Sequence, residues 1–282
     1  MELSYAPMTP FMEERVPGMT PLDMSGWLHR DEAFAAQMAY RDRLVAEVPD
    51  VVLKGEGGGG ADELLSLVLD LLSRTDGYVV EAGAVARPDG VRVAVNRDAP
   101  FATLARLVQE DLLILSKPEG AAEHVLIGGA LLFPSRWSFE EKMGRPLIGI
   151  HDRVPAYDRD LALRVQRLFD MLRPGRPLVR ANWLVHPEAE LHQPKLYATS
   201  KKPHVETGRF WLRVERQSLV KLPASGASVF SVKTFITPIE ALTAEERGGL
   251  IAALDRQTNE MRDYHGGVAH NDAALAALAA LA

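Results

Sequence analysis

Two groups of residues in this sequence have the types and settings to do chemistry: charged side chains carried on a β-hairpin, and histidines placed in loops. The stretch Leu212 to Ile239, LRVERQSLVKLPASGASVFSVKTFITPI, reads as two strands around a Pro223-Ala224-Ser225-Gly226 turn. Alternation puts Leu212, Val214, Val220 and Leu222 on one face and Arg213, Glu215, Gln217 and Lys221 on the other. Arg216 and Ser218 break that pattern, because both fall on the apolar face. A guanidinium carried toward a core must find an anion or a set of acceptors there. A purely structural pair with a buried carboxylate would serve as well. The return strand, from Ala227 to Thr237, brings Phe230, Val232, Thr234 and Ile236 into register.

The eight histidines do not fall into HExxH or HxH spacing, so a mononuclear zinc hydrolase has no support. No GxSxG elbow marks a hydrolase nucleophile. His151 follows the apolar run Leu147 to Ile150 and precedes Val154-Pro155, which lets its ring project from a strand end or loop into a pocket. Spacing alone makes it a structural histidine. His186, His192 and His204 read as loop residues, facing solvent or hydrogen-bonded in turns.

The elements that would position these residues are legible in outline. An extended, Pro- and Met-rich arm runs to about residue 30, and Asp31 to Glu47 has helical spacing with Asp31 as its cap. Gly55 to Gly60 lacks the Gly-Lys-Ser/Thr ending of a phosphate loop and reads as a plain loop. Asp62 to Ser73 is an apolar helix, Gly77 to Val95 a pair of short strands, Thr103 to Leu115 a helix, and His124 to Phe133 a buried strand. A polar, aromatic connection follows through Ser135-Arg136-Trp137 and Lys142 to Tyr157. Asp158 or Asp160 then opens an amphipathic helix that Pro174-Gly175 stops. Val179 to Trp183 leads into a strand-like segment, and Thr243 with Glu246 forms a capping box for a closing helix. The Ala/Leu tail after Ala273 is expected to fray or to dock.

With 282 residues, 47% of them hydrophobic, the chain can bury a sizeable core, and no linker divides it, so one domain is expected over residues 1–282. That domain comprises the arm of residues 1–30, the body, and a tail from 268 to 282. The balance of 32 basic and 38 acidic residues, a formal charge of -6, argues against a nucleic-acid surface. With no cysteine, disulfides, thiolate-ligated zinc or haem, and Cys-anchored iron-sulfur clusters are excluded within the chain. The N-terminal segment lacks the pattern of a signal peptide and no apolar run is long enough to span a bilayer, so a cytoplasmic protein is expected.

The strings LVQEDLLIL, FPSRWSFEEKMGRPLIGIH with VPAY after it, RANW, and LRVERQSLVKLPASGASVFSVKTFITPI, in that order, resemble the motifs of the haem-dependent oxidative N-demethylase alpha-subunit family. The resemblance runs from about Trp27 to Tyr264. It implies an α+β protein of PAS-like architecture, an antiparallel sheet flanked by helices that holds haem b. It also implies oxidative removal of a methyl group from a small secondary amine such as dimethylamine, with oxygen and with electrons from a separate flavin and iron-sulfur reductase. Within the resembling IHDRVPAY stretch, His151 becomes the axial-ligand candidate, since imidazole is the commonest ligand where no thiolate exists. Arg136, Lys142, Arg180, Arg213 and Arg216 become candidates for the haem propionates. Trp137, Trp183, Phe230 and Phe235 become candidates for contact with the macrocycle, each with an ordinary core role as its alternative. Glu215 is placed as the partner of a protonated amine, or else as a cross-strand salt bridge. The chain departs from the family pattern at Asp152-Arg153, at Lys221, where Arg is usual, and at Phe235, where Tyr is common. A haem sensor without turnover and a haem-free structural subunit are the alternative readings.

Overall fold

The computed structural model describes residues 4–12, 18–155, 157–194 and 208–281; His204 lies outside the described residues. The body is an antiparallel sheet with helices on both faces. Its strands are β1 (Thr20–Pro21), β2 (Leu53–Lys54), β6 (Asp111–Ser116), β7 (Val125–Ala130), β8 (Leu178–His186), β9 (Trp211–Lys221) and β10 (Ser228–Pro238), in the order β1-β8-β9-β10-β6-β7-β2. The strands β3 (Val79–Glu81), β4 (Ala84–Ala86) and β5 (Arg92–Ala94) form a separate small sheet. The helices are α1 (Phe34–Glu47), α2 (Pro49–Val52), α3 (Gly60–Leu72), α4 (Pro100–Ala105), α5 (Phe139–Lys142), α6 (Leu147–Ile150), α7 (Arg159–Met171), α8 (Ala244–Asp255), α9 (Asn259–His265) and α10 (Val268–Ala279). This is an α+β architecture. No helix among the described residues is long and apolar enough to cross a membrane.

The β9–β10 hairpin is the spine of the sheet, paired without a break from Trp211↔Pro238 to Lys221↔Ser228. Its turn closes with Leu222 N–H donating to the Ala227 carbonyl, and Gly226 takes the left-handed φ of 66° that a side chain would resist. The alternation forecast for the hairpin holds, but both faces are largely covered. One face, which carries Val220 and Val229 with Leu112 and Ile114 of β6, packs on α3 and α4. Further along that face, Leu212, Val214 and Phe235 pack against α8 and α10. The opposite face carries Leu219, Phe230, Leu113 and Leu115 and packs on α5, α6 and α7.

Several sequence expectations are corrected here. Thr103 to Leu115 is not one helix: α4 ends at Ala105, and Asp111 begins a central strand whose continuous apolar run is buried on both sides. Asp31 does not cap α1, whose N-cap is Ala33 without a side-chain bond; its carboxylate is taken by Lys233 Nζ at 2.8 Å and by Gln109 and Ser4. His186 ends strand β8 and is buried, not a loop residue. The closing helix is two helices, α8 and α9, and the tail is docked as α10, with Ala274 and Leu278 fully buried. Asp158 does cap α7, and Thr243 with Glu246 does form a capping box on α8.

Candidate functional site

The register of β8, β9 and β10 decides which charged residues meet. Arg180 pairs with Gln217 and Asn182 with Glu215, and Arg213 is two residues further along β9 on the same face. On that face, Arg180 Nε donates to Gln217 Oε1 at 2.8 Å, and Gln217 Nε2 donates to Glu215 Oε2 at 3.2 Å. From the other side, Arg213 Nε donates to Glu215 Oε1 at 3.2 Å. Arg213 is fully buried and spends its remaining donors on the carbonyls of Leu191 and Phe133, so it fixes Glu215 and reaches no further. Glu215 is only half-buried, and so are all the β8 residues from Leu178 to Leu184. This patch is therefore a part of the spine where polar side chains meet accessible space.

His151 approaches the same face from the end of α6, where it is the C-cap. Its Nδ1 lies 2.9 Å from the Leu147 carbonyl, a contact that fixes the proton on Nδ1 and leaves Nε2 as the lone-pair nitrogen. Tyr157 stacks on the imidazole with centroids 4.3 Å apart and planes 16° from parallel. Burial pushes the imidazole pKa down, and the neighbouring charges of Arg180 and Lys142 push it the same way, against the bond to Leu147. The ring is thus held neutral, the form that binds metal. Burial also pushes down the pKa of Arg180, with Glu215 opposing, and no carboxylate lies within ion-pair distance of it among the described residues. Lys142 Nζ holds the Ile150 carbonyl and stands 3.7 Å from Asp152. The Tyr157 hydroxyl is buried without a hydrogen-bond partner among the described residues, and burial raises its pKa to about 12.

The structure therefore gathers His151, Lys142, Arg180, Arg213 and Glu215 on one side of the sheet, where Trp137 and Phe230 belong to the adjoining apolar cluster. It sends others elsewhere. Arg216 does turn inward, as its phase requires, but onto the opposite face, where it donates to the carbonyls of Trp27 (2.8 Å) and Gly26 (2.6 Å). It finds a set of acceptors there, not an anion, and it ties the N-terminal arm to the sheet. Trp183 also lies on that far side, edge-on to Phe11, as does Phe235, its ring tilted 59° to that of His29. Arg136, with a left-handed φ of 60°, donates from Nη1 to the His265 carbonyl of α9. No site role is expected from the sequence for Gln217, Asn182 or Tyr157. Gln217 and Asn182 were detectable by phase, two residues from Glu215 and Arg180; Tyr157 carried only its place in the VPAY string.

The side chains thus present a neutral imidazole with a free nitrogen, an arginine, Arg180, with no carboxylate at ion-pair distance among the described residues, and a half-buried carboxylate locked by Arg213. A family model described as haem-dependent oxidative N-demethylase, alpha subunit-like, matches residues 18–275. The chain belongs to that family.

Proposed function

We propose that the chain holds haem b against the β8–β9 face and acts as the oxygenase component that removes an N-methyl group from a small secondary amine. Electrons would come from a separate flavin and iron-sulfur reductase, and formaldehyde would leave. The observation that carries this reading is His151, with Nδ1 committed to the Leu147 carbonyl and Nε2 left to bind iron, the arrangement that orients metal-bound histidines generally. Among the described residues no cluster of His, Asp or Glu is composed to hold a bare metal ion, so an iron bound by His151 would take its other donors from a macrocycle. Arg180 and Lys142 are the cations suited to the propionates, and the orphaned Tyr157 hydroxyl suits a polar partner beside the ligand. The strand order β7-β6-β10-β9-β8, with α5 to α7 in the crossover between β7 and β8, supports a PAS-like description.

When bound, haem supplies the activation of oxygen for attack on an N-methyl C–H bond. Glu215 would receive the ammonium form of the amine by a charge-assisted bond, held in place by Arg213 and Gln217 so that the methyl group is presented in one orientation. The hydroxylated methyl group would leave as formaldehyde when its hydroxyl gives up a proton and the C–N bond breaks, the electron pair staying on the amine nitrogen, and the apolar wall of Leu219, Phe230 and Leu113 keeps bulk water away from that face.

The test is the visible spectrum and haem content of wild type and of His151→Ala. Wild type should show a Soret band near one haem per chain, and the variant should fold but lose most of it or regain it only with added imidazole. Normal haem content and an unchanged spectrum in the variant would overturn the ligand assignment. Formaldehyde release over a panel of mono-, di- and trimethylated amines, with a reductase shown to reduce the haem, then separates an enzyme from a sensor.

A further inference from the structure

Oxidative demethylation of this kind consumes one O2, two electrons and two protons for each amine, giving the shorter amine, formaldehyde and water. The chain has no cysteine to anchor an iron-sulfur centre, so on the reading above the electrons must enter from a docked protein. The helix α7 is the element placed to receive one. Its inner residues Val165, Leu168 and Phe169 pack in the same cluster as Ile150, the neighbour of His151. Its outer surface is thus about one helix diameter, roughly 10 Å, from that cluster.

That outer surface sets exposed apolar side chains among arginines. Leu163 is 50% and Met171 74% exposed, and with Arg167 between them they form one stripe at four-residue spacing. Arg164 borders the stripe, Arg159 opens the helix, and Arg173 and Arg176 follow it, all exposed. No hydrogen bond or carboxylate engages any of these five guanidinium groups among the described residues. By contrast, Arg74, Arg92, Arg97 and Arg145 are each held by an Asp or Glu. Of the nearby carboxylates, Asp158 caps its own helix and Asp170 is bound by Lys117 and Gln166, which leaves Asp160 alone to offset the arginines. A cluster of cations with no carboxylate partner among the described residues, around two exposed apolar side chains on a chain whose net charge is -6, is a surface suited to fast, salt-sensitive encounter with an acidic partner. Electron-transfer encounters are small and transient, so a patch of this size suffices.

We propose that the outer face of α7, centred on Leu163, Arg164, Arg167 and Met171, is the docking surface for an acidic electron-transfer protein. On the reading above, the donor's reduced centre would give up one electron at each of two encounters, the first taking ferric haem to ferrous and the second completing the two electrons that each O2 requires.

The experiment uses a small acidic [2Fe-2S] ferredoxin, kept reduced by its own NADPH-dependent reductase, as the probe donor. Haem reduction is followed anaerobically under carbon monoxide at salt concentrations from roughly 50 to 500 mM, and binding of the same ferredoxin is measured separately by surface plasmon resonance. For wild type, the second-order rate should fall steeply with salt. Arg164→Glu with Arg167→Glu should lower both rate and affinity about tenfold or more and flatten the salt dependence. Leu163→Ser with Met171→Ser should weaken binding several-fold. Reduction by dithionite and the melting temperature should match wild type in both variants. Equal ferredoxin rates in wild type and the charge-reversed variant, or a wild-type rate indifferent to salt, would overturn the proposal. So would a wild-type haem that dithionite reduces and the acidic donor does not. If the purified chain carries no haem, the functional reading fails by itself, and the binding arm alone decides the surface: affinity lost on charge reversal supports it, and absent or unchanged affinity overturns it.

Discussion

On the proposed function, Glu215 is the residue on which substrate recognition would turn. Its two oxygens are each engaged by one neighbour, Arg213 and Gln217, which leaves lone pairs for an ammonium donor on a half-buried carboxylate. Glu215→Gln keeps the shape and removes the charge. A charge-assisted bond is worth roughly 1.5 to 3 kcal/mol, so KM for the amine should rise between about tenfold and a hundredfold while the Soret band and haem content stay as they are. A variant with unchanged KM would reduce Glu215 to a brace for Arg213. The strand phase made Glu215 and Arg213 legible in the sequence as side chains of one face, and the register of β8 on β9 brings Arg180 to it. Phase could not rank Arg213 against Arg216, because each belongs to a face that the rest of the chain covers; Arg213 is 0% and Arg216 6% exposed. Neutral Gln217 announced no chemistry, although it links Arg180 to Glu215.

Among the elements, those with local signals were readable and those defined by long-range pairing were not. The caps of α7 and α8 rest on residues three apart, and both appear in the structure as read. The strand β6 was mistaken for helix because Leu112 to Leu115 is apolar throughout, and periodicity cannot separate a strand buried on both sides from a buried helix. Asp111 is fully spent in this setting, accepting from Leu132 N, Phe133 N and Arg41, so its polarity marks a strand end and not a helix surface. Docking of α9 and α10 onto β8 places His265 and His270 beside Arg136 and His186, a histidine group that no spacing rule foretold. Burial, aided by Arg136 and His270, pushes the His265 pKa down to about 4, and His186 and His270 shift in the same direction. The unfolded chain therefore binds more protons than the folded one below about pH 6.5, the ordinary histidine value. The stability that His265 contributes is complete above that pH and is lost as pH falls toward 4. Thermal melts between pH 7.5 and 5 should show a declining melting temperature, and His265→Gln should flatten part of that decline. An identical slope in the variant would mean that the docked helices do not hold this ring neutral.

At the scale of the whole molecule, the sheet divides its labour between two faces. The far face is closed by the N-terminal arm through Trp27, whose Nε1 donates to Ser231 Oγ at 2.8 Å, and through Arg216 on the Gly26 and Trp27 carbonyls. Beneath the arm lies a buried set of ionic contacts, with Lys233 Nζ 2.8 Å from Asp31 and 3.1 Å from Gln37. The near face carries His151, Arg180 and Glu215. Arg216→Met should then act on stability alone. It leaves two carbonyls without donors, a loss of roughly 2 to 4 kcal/mol, which for a domain of this size lowers the melting temperature by on the order of 5 to 10 °C. Haem content and spectrum should be those of wild type. Arg180→Ala should do the reverse, lowering haem affinity with little change in melting temperature of the haem-free protein, because its Nε is bonded only to Gln217 on a half-open patch. Measuring both quantities on both variants separates the faces. If Arg216→Met sheds haem while keeping the wild-type melting temperature, the far face takes part in cofactor binding, and the division of the sheet into a structural and a chemical side fails.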